Sequence, residues 1–166
     1  MDKLDLGGTA VTHAEVSETE AEKKERIRRE LVNAGMSRFG LSKLNTQYLP
    51  TLIQDGEHIQ GILYGFQTDG KAMLSWMDRM IVATDQRVIS FIHKPGFMEE
   101  DVFTYDVING VDVTIAGPFS AVSLDTRKGK INLRFVRKQC AITFKKYVAD
   151  RRMTFFKTRT HSSAKK

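Results

Sequence analysis

The sequence predicts a mainly β (α+β) fold, in which a helical arm precedes an antiparallel sheet and one helix follows it. Three observations support this class. From residue 58 onward, short runs rich in β-branched residues alternate with turn residues, as in sandwiches and barrels. Near the end of the chain, apolar residues recur at helical spacing, at Cys140, Phe144, Tyr147 and Val148. Near its start, a Ser-x-x-Glu sequence is typical of the first turn of a helix.

The N-terminal region, residues 1–36, is predicted to be a disordered leader followed by a helical arm. Ser17-Glu-Thr-Glu20 has the form of a capping box, and Gly35 is a suitable stop. Three acid–base pairs spaced four apart support the helix: Glu20–Lys24, Glu22–Arg26 and Glu25–Arg29. Its apolar stripe is thin and consists of Ile27, Leu31 and Ala34. Such a helix is not stable alone, so we expect it to dock on the domain or on another subunit.

The remaining elements follow from apolar patterns and from turn residues. A second helical segment, about residues 41–53, contains Pro50, which must kink or restart it. The predicted strands are 58–66, 71–84, 87–94, 101–107, 111–116, 119–125 and 130–136. The second of these also fits a helical turn, because its methionines and Trp76 have helical spacing. A helix is predicted at 138–152, and residues 153–166 are predicted to form a basic flexible tail.

One hairpin is the most informative part of the chain. Met80-Ile-Val-Ala and Val88-Ile-Ser-Phe-Ile92 flank the polar tetrad Thr84-Asp85-Gln86-Arg87. This pattern resembles the signature hairpin of bacterial pleckstrin-homology (PH) domains, in particular the YokE-like family. The flanking segments Leu49–Glu57 and Phe103–Ile108 resemble the neighbouring elements of such domains, although Val107 interrupts an aspartate–isoleucine corner. The resemblance covers residues 49–150.

The resemblance implies a PH-like bent antiparallel sheet, or partly open barrel, capped by the C-terminal helix, with the domain at residues 37–152. It implies no single ligand. Within it, the turn motif Thr84, Asp85 and Arg87 is interpreted as structural. From the residues themselves, Arg87 is expected to pair with Asp85 or to cap backbone carbonyls, with a ligand-binding role as the alternative.

Composition and motifs exclude several classes. The chain has 166 residues and a single cysteine, Cys140, which we expect to be a buried, inert thiol. We find no signal peptide and no apolar run of membrane-spanning length, so a cytoplasmic location is predicted. The histidines are scattered and no glycine-rich nucleotide loop is present, so we expect no catalysis, cofactor, metal or small-molecule substrate. Glu99-Glu-Asp101 is interpreted as a solvated loop rather than a calcium site.

Charge is concentrated at one end of the chain. Residues 1–126 hold 12 Lys/Arg against 19 Asp/Glu, whereas residues 127–166 hold 14 against one. On the strand at 130–136, Lys130 and Arg134 are expected to face outward, with Ile131, Leu133 and Phe135 inward. The candidate anion-binding residues are Arg127, Lys128, Lys130, Arg134, Arg151, Arg152, Lys157 and Arg159. The alternatives are an ordinary solvated strand face and a tail whose aromatic residues pack back on the domain.

These observations predict a non-catalytic PH-like binding or assembly module. The favoured partners are a second copy of the chain, giving a homo-oligomer, or another protein. The alternative is binding to an anionic surface through the basic C-terminal region, on an acidic membrane or, less favoured, on nucleic acid.

Overall fold

The computed structural model describes residues 18–68 and 77–163, with the side chains of all of them except Phe156 and residues 158–163. Four α-helices are present: α1 Glu20–Asn33, α2 Arg38–Leu41, α3 Leu44–Leu52 and α4 Lys138–Ser163. The seven strands are β1 Ile59–Gln67, β2 Asp78–Thr84, β3 Val88–Lys94, β4 Phe97–Phe103, β5 Ile108–Ala116, β6 Phe119–Thr126 and β7 Gly129–Arg137. A 3₁₀ helix, Tyr105–Val107, links β4 to β5.

The strands form one open antiparallel sheet in the order β4-β3-β2-β1-β7-β6-β5. The two halves of this sheet meet between β1 and β7, where only Phe66 with Arg134 and Gln67 with Leu133 are in register. Strands β4 and β5 are the edges. This architecture, with helices before the sheet and one after it, confirms the predicted fold class.

Helices cover both faces of the first half of the sheet. Gly61 of β1 lies against the backbone of Phe144 in α4, so odd-numbered residues at this part of β1 face α4. Met80 is paired with Tyr64 and with Phe91, on the opposite face. The ring of Tyr48 in α3 lies 6.3 Å from that of Phe91. Strand β2 is therefore buried on both sides, which explains its continuous apolar sequence.

The helical arm docks on the sheet of its own chain. Ile27 and Leu31 of α1 are buried in the same core as the strands. The backbone amide of Ile59 donates to the carboxylate of Glu30 (2.8 Å), and Arg26 donates to the carbonyl of Glu57 (2.9 Å). The arm is predicted to dock on its own domain or on another subunit, and in the structure it docks on its own domain.

The start of α1 differs from the prediction. The capping box is formed by Thr19 and Glu22, whereas Ser17 of the predicted box lies outside the described residues. Arg26 pairs with Glu18 and Glu30, and the three predicted pairs Glu20–Lys24, Glu22–Arg26 and Glu25–Arg29 are not among the ion pairs of the described residues. The reason is that Thr19 holds the carboxylate of Glu22, while Glu30 also binds the sheet. The predicted stop, Gly35, is confirmed by its φ of 100°.

Three further predictions about the strands are wrong. Strand β4 covers 97–103 instead of 101–107, because the turn at Gly96 (φ 76°) lets pairing begin at once between Lys94 and Phe97. Glu99–Asp101 therefore lies in an edge strand and not in a loop, and edge strands tolerate such charge. The break predicted between the strands 101–107 and 111–116 is also wrong, because β5 begins at Ile108 and has a bulge between Ile108 and Gly110.

The end of α4 and the position of Pro50 in α3 also differ from the prediction. Helix α4 does not end at 152 but continues to Ser163, so residues 153–163, predicted to begin a flexible tail, are helical. The segment after 152 contains no Gly or Pro that would stop the helix. Pro50 lies inside α3, which ends two residues later, and it neither begins nor ends that helix. Residues 69–76, which include the first six residues of the predicted segment 71–84, lie outside the described residues.

Candidate functional site

The Thr84–Arg87 turn is held by its own side chains. The hydroxyl of Thr84 accepts from the amides of Gln86 (3.1 Å) and Arg87 (3.0 Å). The carboxylate of Asp85 accepts from the amide of His58 (2.9 Å), which precedes β1. The tetrad therefore joins the β2–β3 turn to the start of β1, in line with the interpretation of Thr84 and Asp85 as turn-forming residues.

Arg87 pairs with a buried carboxylate elsewhere in the chain. Its Nε lies 2.9 Å from Glu57, whose side chain is completely buried, and its Nη2 donates to the carbonyl of Leu52 (2.9 Å). The predicted pair with Asp85 is wrong, whereas capping of a backbone carbonyl is observed. Burial raises the pKa of Glu57, but hydrogen bonds from Arg87, the amide of Gln54 and Thr84 outweigh it, so the net pKa is below its usual range. Glu57 is therefore ionised at neutral pH.

Two tyrosines and one predicted anion-binding residue meet the same turn. Tyr105 and Tyr147 both donate to the carbonyl of Thr84. Burial raises the pKa of both phenols, so both stay protonated. Arg151 donates to the carbonyl of Asp85 (2.5 Å). At least part of the hydrogen-bonding capacity of Arg151 is thus used within the chain.

Three more predicted cations lie along the β6–β7 hairpin. The backbone amide of Arg127 bonds to the carbonyl of Val107 (2.9 Å), and the ammonium of Lys128 lies 5.8 Å from the ring centroid of Phe103. Lys130 lies 3.9 Å from the carboxylate of Asp125 on the neighbouring strand. The side chains of all three point away from the core, as predicted for Lys130.

Arg134 lies at the other end of the sheet from Arg151. It is paired with Phe66 near the end of β1, whereas Arg151 contacts the turn beside the start of β1. A nine-residue strand puts roughly 26 Å between these two ends. Arg152 is half-buried, Lys157 is exposed, and the side chain of Arg159 lies outside the described residues. The predicted anion-binding residues thus occupy several separate places.

A β-bulge reverses the end of β7. The register between β6 and β7 shifts between Ser120 and Val122, where β7 holds one residue more. Phe135 adopts a φ of 61° and is 63% exposed, while Val136 is completely buried. The predicted inward orientation of Phe135 is therefore wrong, because alternation breaks at the bulge. The bulge depends on Gly65: a Cβ there would lie 2.5 Å from the carbonyl oxygen of Arg134.

Phe135 is the centre of an exposed group of three rings, which we call the aromatic cluster: Phe66, Phe119 and Phe135. Both outer rings meet Phe135 edge to face, at centroid distances of 6.2 Å. Phe66 and Phe119 are 44% and 45% exposed. Sequence reasoning missed this cluster because its members come from three strands. Gly65, an interior strand glycine, is the one local sign of a bulge or close backbone approach.

Two arginines flank the aromatic cluster. Arg137 is opposite Phe119 and donates to the carbonyl of Gly35 (2.9 Å), at the end of α1. Arg134 is exposed and forms no ion pair within the described part of the chain. Phenylalanine and arginine are both enriched in the cores of protein interfaces relative to the rest of the surface.

Two features of the described residues concern metal binding and the single thiol. They contain no group of three or more His, Cys, Asp or Glu side chains placed to hold a metal ion. Cys140 is buried on α4, and burial raises the pKa of its thiol, which confirms the predicted burial of this residue. Across 18–68 and 77–163, no helix has the length and apolar character needed to span a membrane.

The chain is similar to a known protein family and to solved structures. Residues 53–150 match the model of the family described as bacterial PH domain. No curated protein matches the chain. Among solved structures, a DUF1696 family protein with a pleckstrin-homology domain from Shewanella loihica PV-4 is 16% identical; the match covers 64% of this chain and 91% of that one, with a TM-score of 0.40. The PH domain of USP37 is 12% identical, with 59% and 97% covered and a TM-score of 0.40.

The family match covers more than half of the chain and includes the turn motif, the aromatic cluster and the part of α4 that packs on the sheet. PH domains are generally non-catalytic binding modules. The protein is a member of the bacterial PH domain family.

Proposed function

We propose that this protein is a cytoplasmic, YokE-like, non-catalytic module that self-associates through its aromatic cluster. The observation that carries the proposal is Phe135, which is exposed at a backbone conformation that costs a bulky residue roughly 1–2 kcal/mol. Strain of this kind is retained where the surrounding structure enforces it, often at binding sites. A partner that covers the three rings would bury a large apolar area together with Arg134.

The outer face of edge strand β4 is complementary to this surface. Met98, Glu100 and Val102 alternate along the strand, and all three are exposed. Two apolar side chains, Met98 and Val102, therefore lie on either side of the carboxylate of Glu100. The aromatic cluster likewise combines apolar rings with the guanidinium of Arg134. Glu100, like Arg134, forms no ion pair among the residues that the structure describes. We therefore propose that β4 of one copy docks on the aromatic cluster of the next.

Such a contact joins two different surfaces of the chain. A head-to-tail interface leaves one surface of each kind free at the ends, so it produces a closed ring or an open chain of subunits. The mass in solution should therefore rise with protein concentration, beyond that of a dimer if the chain stays open. Multi-angle light scattering after gel filtration measures this directly.

A charge swap tests the contact. Arg134→Glu and Glu100→Arg should each give a monomer, because each places like charges together. Mixing the two variants, or combining both changes in one chain, should restore association. Lys130→Glu is the matched control, since Lys130 is exposed on the same strand but lies beside Asp125. A full chain that stays monomeric at about 100 μM, or a mixture that fails to associate, would exclude this interface.

The second candidate is an acidic membrane surface. It is favoured by one observation, the exposed Phe135 between Arg134 and the cations Arg137 and Lys138 at the start of α4. Each cation near an anionic bilayer contributes about 1 kcal/mol, and the interaction weakens with salt. Sedimentation with phosphatidylserine vesicles at 50 and 200 mM salt tests it. Loss of binding in Phe135→Ser at 50 mM salt would support this candidate, and no sedimentation of the wild-type chain would exclude it.

A further inference from the structure

The cations of α1 fall into two groups. Lys23 lies 3.0 Å from Asp55, and Arg26 pairs with Glu18 and Glu30; both face the rest of the domain. Lys24, Arg28 and Arg29 are exposed and form no ion pair among the described residues. The helix therefore neutralises Lys23 and Arg26 and leaves the other three cations available.

Two of these available cations, Lys24 and Arg28, border a cavity of about 480 Å³ between α1, α2 and α3. A third cation, Arg38 of α2, borders the same cavity, and no carboxylate lines it. The floor is apolar, and Ser42 and Gln47 add polar groups at the rim. The apolar lining residues are Ile27, Leu31, Leu41 and Pro50. A concave, mostly apolar site of this volume with a few converging polar groups is typical of small-molecule sites.

We propose that this cavity binds a small organic phosphate, whose phosphate group meets Lys24, Arg28 and Arg38 and whose apolar part lies on Leu41 and Pro50. A phosphomonoester carries −1.5 to −2 charges at neutral pH and accepts charge-assisted hydrogen bonds from arginine. A carboxylate would neutralise only one of the three cations. The cavity lies in the helices before residue 53, outside the family match, and none of its lining residues belongs to the aromatic cluster. The proposal is thus independent of the proposed self-association.

Two probes test the two halves of the cavity. 1-Naphthyl phosphate should bind the full-length chain at least tenfold more tightly than inorganic phosphate at 50 mM salt, as measured by isothermal titration calorimetry. Replacing the cations together, Arg28→Gln with Arg38→Gln, should weaken both probes by at least tenfold. Leu41→Gln should weaken 1-naphthyl phosphate alone. Arg29→Gln is the matched control, since Arg29 is an exposed cation of α1 that does not line the cavity.

A separate arm distinguishes a soluble phosphate from a lipid headgroup. Vesicles containing phosphatidic acid should recruit the chain through Arg28 and Arg38 only if a headgroup in a bilayer can enter the cavity. Binding of soluble 1-naphthyl phosphate without recruitment would identify a soluble ligand. The proposal is overturned if neither probe binds at 5 mM, or if the Arg28→Gln, Arg38→Gln variant, shown to be folded by circular dichroism, binds as well as Arg29→Gln.

Discussion

The guanidinium of Arg87 lies 2.9 Å from the carboxylate of Glu57, and that carboxylate is completely buried. The pair joins the β2–β3 turn to the segment before β1, across 30 residues of sequence. An unpaired buried charge is far more costly than a paired one, so this contact should determine whether the turn end of the sheet is stable.

Removing the guanidinium should therefore destabilise the protein strongly. We expect Arg87→Met to lower the free energy of unfolding by roughly 3–5 kcal/mol, because Glu57 is left buried without its partner. Adding Glu57→Gln should recover part of the loss. Urea denaturation followed by circular dichroism measures both. A double variant no more stable than the single one would show that the unpaired charge is not the cause.

The same carboxylate should make stability depend on pH. The pKa of Glu57 is lowered in the folded state, so its contribution is present above the unfolded pKa of about 4.3 and is lost as pH falls through the folded value. Thermal unfolding between pH 3 and pH 7 should show stability falling on the acidic side. Glu57→Gln should have a shallower slope there than Glu25→Gln, an exposed control on α1. Equal slopes would contradict the assignment.

Gly65 should tolerate no side chain. A Cβ there would lie 2.5 Å from the carbonyl oxygen of Arg134 and 2.9 Å from a methyl of Val136. We expect Gly65→Ala to cost roughly 2–3 kcal/mol, because β1 and β7 must separate where the halves of the sheet meet. Gly110→Ala is the matched control: its Cβ would meet nothing within 4 Å. If the two variants have the same melting temperature, the close approach is not required.

Phe135 should contribute little to stability despite its size. Phe135→Gly removes two edge-to-face contacts but also relieves the φ of 61°. We expect a net change within about 1 kcal/mol. Phe91→Ala, at a completely buried ring, should cost roughly 3–5 kcal/mol. Chemical denaturation of both variants gives the comparison, and a large loss for Phe135→Gly would assign that ring to the core.

Cys140 should react only when the protein unfolds. Its thiol is buried and burial raises its pKa, so the thiolate is both scarce and inaccessible. We expect Ellman's reagent to modify it slowly in buffer and at once in concentrated urea. Rapid modification of the native protein would show that α4 leaves the sheet readily.

The elements that sequence predicts well are those with local causes. The Thr84–Arg87 hairpin is specified by its own tetrad and by the two apolar runs beside it. The inward face of α4 is likewise predicted by the spacing of Cys140 and Phe144, both of which are buried.

The features that sequence reasoning missed depend on distant residues. The bulge at Phe135 requires the close approach of Gly65, and the partner of Arg87 is Glu57, which local pattern places in an ordinary turn. The aromatic cluster needs three strands brought together by the pairing of β1 with β7 and of β7 with β6. No local window contains this information.

Because α1 and α3 dock on the sheet, the unit that folds together is longer than the unit that the family match defines. The inherited unit, as the family match defines it, begins at residue 53, whereas Ile27, Leu31 and Leu49 of the shared core lie before it. A gene fusion that transferred only the inherited unit would leave one face of β2 and β3 without its cover. A functional fusion would therefore need a segment that starts before α1, and this segment is longer than the one that sequence comparison identifies.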